Sequence, residues 1–511
     1  MANNYRIEIK IAIVKCDDEE TTTLTRQEDG RFTFVLNETQ AVSVDVCESA
    51  LLNTNYAAIR EAMVSHFSAV SLERALAGAH SPSEVHVKPY RVDGEVGRFT
   101  FDAHYVEQDG QVVCDTTTTM FTPLGPKEWY RTQGFKEIAL VYGTINDSYR
   151  KTNVLLNRVR YQEQDGTPLR TLWDNAEVEG RHIQAHIEQL AATTLTAHGF
   201  TPEGSPPEEA SYRERALTTL PAERVAAAIR ESAAQPEWLA AMESNPVAYE
   251  DPAQSVSVAI DAVGVKRQKA PRGQASTATA SEQPASEEKK GKQWVHHTVA
   301  RVAQGESAYI LIGSGVVSVL RYVLAFLLHS HLLQNNLIFF ADGQRSLHTA
   351  VLRVFAWFKP IQIILDWYHL MEKCKLQLSL AMKGREARNA VLEQLRPLLW
   401  HGCVDAAITT LRNVSASQIK NQAAIDKLVG YFERNRSSIP CYAVRKTLGL
   451  RNSSQAGEKA NDLTVSTRQK HNGMSWRARG STALAAITAL VKNREYSRWF
   501  RNQTLAFSFA A

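Results

Sequence analysis

The sequence predicts a multidomain chain of mixed α/β and α+β class, and three observations carry that prediction. Residues 255–375 read strand, strand, strand, helix, strand, helix, strand, helix, with apolar runs bounded by Gly and Pro. Runs of that kind suit buried parallel strands joined by crossover helices. Residues 375–450 then read as helices of mixed polarity, which interrupt the unit before it resumes near 451. Upstream, the pattern alternates like strands to about residue 125 and turns helical from 126 to 250. The expected domains are therefore a β-rich one at 1–125, a helical one at 126–250, a core at 251–374 with 451–511, and an all-helical insertion at 375–450.

Length and composition agree with this division. A chain of 511 residues has room for roughly three domains. Its 44% hydrophobic and 22% charged residues are those of a soluble globular protein. Lys plus Arg number 58 against 54 Asp plus Glu, a net charge of +4, so any nucleic-acid footprint must be local. Cys16, Cys47, Cys114, Cys374, Cys403 and Cys441 are scattered without a CxxC pair, which excludes a zinc ribbon and a disulfide framework and fits reduced cytosolic thiols. The opening Tyr5-Arg6-Ile7-Glu8-Ile9-Lys10 alternates like a strand, not a secretory leader. The most apolar stretch, residues 307–333, is interrupted by Ser and Gly and carries Arg321, so it reads as a strand and a buried helix instead of a membrane span.

In the β-rich part the expected strands are RIEIKIAIV, RFTFVL, AVSVDVC, GRFTFDAHYVE and QVVCDTTTTMFT. Turn signals at Glu28-Asp29-Gly30 and Gln108-Asp109-Gly110 separate them, and one helix is expected over NYAAIREAMVSHFSAVSLERAL. Nothing there has catalytic spacing, so the part reads as an accessory or assembly domain. In the helical part, FKEIALVYGTI, SYRKTNVLLNRVRYQEQ and the stretch after Thr167-Pro168 are candidate helices, with Thr167 as N-cap. The second and third, joined by a Gly-containing turn, make a helix-turn-helix candidate. Tyr149, Arg150, Lys151, Arg158 and Arg160 lie on the first of that pair, and Arg170 opens the second. The same stretch reads equally as a helical bundle with a solvated basic face.

The core begins with SVSVAIDAVGVKRQK, a β-branched strand reaching Asp261 and expected to meet that aspartate at its end. A low-complexity run with basic flanks follows, either a DNA-contacting loop or a solvated linker. WVHHTVARVAQ and SAYILIG complete three antiparallel strands. After a buried helix, LIFF stops at Asp342-Gly343, a helix follows, and IQIIL stops at Asp366. This is the ribonuclease H-like order. In open α/β sheets the chemistry sits at the carboxyl ends of the strands, where Asp342 and Asp366 fall. Near the end, an α-helical reading places Glu458, Asp462 and Val465 on one face, so Glu458 can point into the same cleft. Arg468, Lys470, His471, Arg477 and Arg479 follow as candidate phosphate contacts.

Magnesium takes hard oxygen ligands and keeps several waters, so two or three carboxylates suffice to hold it. In-line displacement at a phosphodiester is served by two metals about 3.5–4 Å apart. Asp261, Asp342 and Glu458 supply that acid set from three distant segments.

The stretches FFADGQRSLHTAVLRVF, IQIILDWYHLMEKC, LLWHGCVDAAITTLR and above all EKANDLTVSTRQKHNGMSW resemble insertion-sequence DDE transposases of the Kra/Azba type, relatives of the Mutator-like group. The resemblance is close over about residues 255–495 and looser upstream. It implies a ribonuclease H-like catalytic core split by an all-helical insertion, with DNA cleavage and strand transfer at the ends of the parent element. It implies two Mg or Mn ions held by a catalytic triad of Asp261, Asp342 and Glu458. The partners implied are double-stranded element ends and target DNA, with a dimer or larger assembly on DNA, in the bacterial cytoplasm at the nucleoid. Where Mutator-like relatives carry a Cys-x-x-His pair, this chain has Asp366 and His369. These are either supporting residues that position DNA or a strand-capping Asp and a satisfied core His. A nuclease or resolvase without strand transfer, and a non-catalytic DNA-binding protein derived from a transposase, are the alternatives.

Overall fold

Alternating apolar and polar residues over 85–115 form a meander of three antiparallel strands: β1 (Val85–Gly94), β2 (Gly97–Gln108) and β3 (Gln111–Asp115). The β2–β3 turn is Asp109-Gly110, both at positive φ (51° and 76°), as a tight two-residue hairpin demands. A short β4 (Tyr130–Arg131) joins parallel to β1, giving the order β3-β2-β1-β4. Helix α1 (Val44–Gly78) supplies Met63, Val64 and Phe67 to the core around Tyr90, Val92, Phe99, Phe101 and Phe121. Three further helices follow: α2 (Gln133–Ile145), α3 (Tyr149–Val159) and α4 (Leu169–Ala197).

The computed structural model describes residues 24–26, 32–36, 38–121, 130–146, 148–163, 166–208, 215–269, 294–471 and 473–510. They fall into two compact units, Met1–Asn175 and Ala176–Ala511. The strand expected at RIEIKIAIV and the low-complexity run from 270 to 293 lie outside the described residues.

Three local expectations in the first unit are corrected. AVSVDVC is no strand: from Val44 it is the first turn of α1, with Ser43 as extended N-cap and Asp45 favourably placed at the helix start. The Thr run after β3 is not extended either. Asp115 caps a helical turn at Thr116–Met120 by accepting from the Thr117 N–H at 3.1 Å. Thr167 is buried, and its hydroxyl donates to Asp93 at 2.9 Å and accepts from Arg160 at 3.0 Å.

The second unit holds a five-stranded sheet of β5 (Ser255–Lys266), β6 (Trp294–Gln304), β7 (Ser307–Gly313), β8 (Asn336–Ala341) and β9 (Ile361–Leu365). Its order is β9-β8-β5-β6-β7. β6 is antiparallel to both β5 and β7, while β8 runs parallel to both β5 and β9. Helices α5 (Val316–His329) and α6 (Arg345–Phe355) make the crossovers and cover one face. There Val256, Val258 and Ile260 of β5 meet Leu320, Leu324, Val351 and Phe355. All six residues of β8 are buried, as a central strand covered on both faces should be.

Helix α7 (Trp367–Ala381) leads into the helices α8 (Arg385–Trp400), α9 (Val404–Arg412), α10 (Gln422–Asn435) and α11 (Tyr442–Thr447). These share their own core, with Leu370, Leu378, Leu395, Leu411, Leu428 and Phe432 at its centre. The chain returns through α12 (Gln455–Asn461), a π-helix at Asp462–Lys470, and α13 (Ala478–Lys492). Ala460, Val465, Ala485 and Ala489 from these cover Val263, Val265 and Val299 on the second face. The π-helix corrects the shared face expected for Glu458, Asp462 and Val465. The wider turn carries Val465 into the core, while Glu458 and Asp462 are exposed. Among the described residues no helix is long and apolar enough to cross a membrane.

Candidate active site

Register decides where the strand-end acids fall. Phe340 pairs with Ala259, and Ala341 with Leu365. Counting on, Asp342 lies level with Asp261 on one neighbouring strand and with Asp366 on the other. Parallel neighbours are about 4.8 Å apart, so three aspartates stand level across three adjacent strands. Asp342 and Asp366 directly follow the ends of β8 and β9, but Asp261, expected at a strand end, lies within β5, which stays paired with β6 to Lys266.

Asp261 shares the β5 face of Val263 and Val265, the face that α12 and α13 cover. Its carboxylate accepts from Asn461 Nδ2 and from the Ala262 N–H, both at 2.8 Å. Asn461 ends α12, one turn after Glu458. The helix lies tightly on the sheet because residue 457 is glycine: a Cβ there would sit 2.9 Å from the Cβ of Ala259.

Glu458 Oε1 meets His369 Nε2 at 3.1 Å, with the glutamate side chain 48% exposed. His369 is held by Asp366, which caps α7 by accepting the His369 N–H at 2.9 Å. The other oxygen of Asp366 accepts from the Ser454 N–H and, at 3.1 Å, from its hydroxyl. Asp366 is only 1% exposed, so it clamps α7 to the segment before α12 and has no surface to offer a phosphate.

Asp342 Oδ1 accepts from the Gln344 N–H at 2.9 Å, and Gly343 turns the chain at φ 79°. A Cβ on Gly343 would collide with the hydroxyl of Tyr431, which α10 of the insertion lays over this turn. That hydroxyl is buried without a hydrogen-bond partner among the described residues. Burial first, and then the negative charge of neighbours including Asp342 and Asp366, push its pKa up.

The result is a closed circuit. Asp261 touches Asn461; Asn461 and Glu458 share a helix turn; Glu458 touches His369; Asp366 holds His369; and register brings Asp366 and Asp261 level with Asp342. Among the described residues, however, no group of three or more His, Cys, Asp or Glu side chains is arranged to hold a metal ion. Asp261 faces Asn461 and Glu458 faces His369, so the acids stand near one another without forming a ready ligand set.

Beneath this face, buried His297 of β6 lies 2.7 Å from Ser481 of α13, whose hydroxyl donates to Gln469 of the π-helix at 2.6 Å. Burial first, and then neighbouring His296, lower the His297 pKa to about 4. The imidazole is therefore neutral near pH 7.

The basic candidates divide by exposure. Lys470, His471 and Arg477 are exposed at the end of the π-helix and beyond it. Arg468 is buried, its guanidinium 5.4 Å above the Trp476 ring. In the first unit Arg158 is exposed, and Arg170 pairs with Asp174 at 2.9 Å. Arg160, read from sequence as part of a basic face, is buried and bonds Leu156 O, Gly94 O, Asn157 and Thr167. Sequence reasoning missed Asn461 and Tyr431. The first was within reach, three residues past Glu458 on a helix; for the second, in the middle of the insertion, the sequence carries no signal.

No protein-family model matches this chain, and no curated protein matches it. A solved structure, the Mos1 transposase paired-end complex with left transposon end, aligns with a TM-score of 0.16 and 8% identity. The alignment covers 66% of this chain and 98% of that one. So loose an alignment carries no argument about fold or function.

Proposed function

We propose that this chain is a DNA transposase of the DDE type, cutting and joining DNA at the ends of an insertion sequence through a ribonuclease H-like core. The observation that supports the reading best is the circuit linking Asp261, Asp342 and Glu458, three acids from chain-distant elements, where β8 ends level with the middle of β5. The sheet order, three antiparallel strands followed by two parallel ones with crossover helices, is the order this reading requires. The helical insertion stands between the second and third acids, as the resemblance implies.

On this reading Asp261, Asp342 and Glu458 would hold Mg or Mn, which would supply Lewis-acid chemistry for attack at a phosphodiester and for its leaving oxygen. Because the acids are not preassembled, Glu458 must leave His369 and Asp261 must share its carboxylate beyond Asn461. His369 and Asp366 are positioning residues in this account. Exposed Lys470, His471 and Arg477 are the phosphate contacts on offer in the segment that follows Glu458.

The test is to incubate purified protein, with Mg or Mn, with labelled DNA that carries the ends of the parent element. Cleavage together with joining to a second DNA supports the proposal. Cleavage without joining reduces it to a nuclease or resolvase. Binding without cleavage overturns the catalytic reading. Asp261→Asn and Asp342→Asn should each lower cleavage by about 100-fold or more while DNA binding stays within about twofold.

A further inference from the structure

We propose that the first unit reads double-stranded DNA with helix α3, and that α2 and α3, not α3 and α4, form the helix-turn-helix. The proposal rests on the reading of the chain as a DNA-acting protein and names the surface that would meet the duplex.

Connection length separates the two pairings. Only residues 146–148 join α2 to α3, whereas residues 160–168 lie between α3 and α4. A three- to four-residue turn is what the motif uses, and its second helix is the one that enters the major groove. Both helices are well set for that role. Thr132 caps α2 by accepting the Phe135 N–H at 3.2 Å, and Ser148 caps α3 by accepting the Lys151 N–H at 3.2 Å. Phe135 and Ala139 of α2, Leu156 of α3 and Leu172 at the start of α4 form a shared core, with Tyr149 against it. Thr152 and Leu156 therefore face inward, which fixes the outward face of α3.

That outward face consists of two ridges at helical spacing: Arg150–Val154–Arg158 and Lys151–Leu155–Val159. All six side chains are exposed, Val154 at 63% and Val159 at 49%. Helix α3 contains three basic residues and no acid, in a chain whose Lys plus Arg and Asp plus Glu nearly balance at 58 and 54. Arg150 and Lys151 occupy the first turn, from which recognition helices reach base edges. The outward valines suit the thymine methyl groups of the major groove. A solvated helix has no use for these apolar groups, and a protein partner no special use for three cations around them. The combination fits duplex DNA. Arg160 takes no part, because the core of this unit consumes it.

Fluorescence anisotropy of the full-length protein with a labelled mixed-sequence duplex, titrated with salt, tests the assignment. The Arg150→Ala/Arg158→Ala double variant should bind at least about 10-fold more weakly. Its slope of log affinity against log salt should be shallower by about 1, the loss of the Arg158 phosphate contact, the rest of the affinity loss coming from Arg150 at the base edges. Arg74→Ala, an exposed cation on α1, should change neither. Circular dichroism melting confirms that each variant folds.

Unchanged affinity and slope in the double variant overturn the proposal while leaving the enzymatic reading intact. If the wild-type protein does not bind duplex DNA at all, the enzymatic reading fails with it. If Val154→Asp converts a dimer to a monomer in light scattering and DNA binding persists, this face is a self-association surface and the proposal is overturned.

Discussion

Gly457 sets how closely α12 approaches the sheet, and with it how near Glu458 and Asn461 come to Asp261. A methyl group there would press on the Cβ of Ala259 at 2.9 Å, where neither backbone can easily yield. Gly457→Ala should therefore destabilise the protein by about 1–3 kcal/mol despite its better helix propensity. The measurement is the urea midpoint, and an unchanged midpoint would show that α12 is not seated as described. Tyr431 poses the opposite case. Its buried hydroxyl has no hydrogen-bond partner among the described residues, so Tyr431→Phe should leave stability within about 1 kcal/mol of wild type. Asn461 and His369 act at the same scale. Each holds one acid by a single contact, at 2.8 Å for Asp261 and 3.1 Å for Glu458.

At the scale of the element, the π-helix decides which side chains of the last segment face the core. It buries Val465, Arg468 and Gln469 and leaves Lys470 outside. Gln469 then joins Ser481 and His297 in a buried chain of hydrogen bonds that ties π-helix, α13 and β6 together. This gives a pH dependence with a definite sign. In the unfolded chain His297 protonates near its ordinary 6.5; in the folded chain it resists protonation down to about 4. The unfolded state therefore binds more protons in that window. Stability is complete above about pH 6.5, falls as the pH drops through the window, and levels off below about 4 for this group. A gap of that size is worth about 3 kcal/mol. His297→Gln should remove that part of the acid sensitivity, seen as a shallower fall in melting temperature between pH 6.5 and 4. Equal slopes for the two proteins would contradict the assignment. The sequence contained the α-helices and strands around this segment, because apolar period and Gly/Pro punctuation write them plainly. It did not contain the π-helix: Asp462-Leu463-Thr464-Val465 is equally compatible with 3.6 residues per turn, and only packing against β5 and β6 selects the wider turn.

For the whole molecule, what the sequence made legible is the second unit's sheet. LIFF is apolar throughout and IQIIL is apolar except for Gln362, and each ends at an acid that register then aligns. The short elements of the first unit were less legible. In AVSVDVC and the Thr run, β-branched residues suggested strands, but N-caps and tertiary packing made helix. What joins the second unit into one body is also hidden from sequence. Arg445 of the insertion makes a two-pronged pair with Glu250, both contacts at 2.7 Å and the two side chains 0% and 6% exposed. Breaking such a pair leaves a buried charge alone, so Glu250→Ala should cost about 3–5 kcal/mol, readable in thermal melting. A loss below about 1 kcal/mol would show the pair to be solvated.

The central claim is that Asp261, Asp342 and Glu458 serve one reaction. Glu458 tests it most directly, because it lies far from the other two in the chain and its carboxylate meets His369 and neither of the other acids among the described residues. The measurement is the rate at which wild-type protein and Glu458→Gln cut labelled element-end DNA in Mg or Mn, with DNA affinity read in parallel. The account predicts cutting by the wild type, a loss of about 100-fold or more in the variant, and unchanged affinity. A Glu458→Gln protein that cuts at the wild-type rate would contradict it.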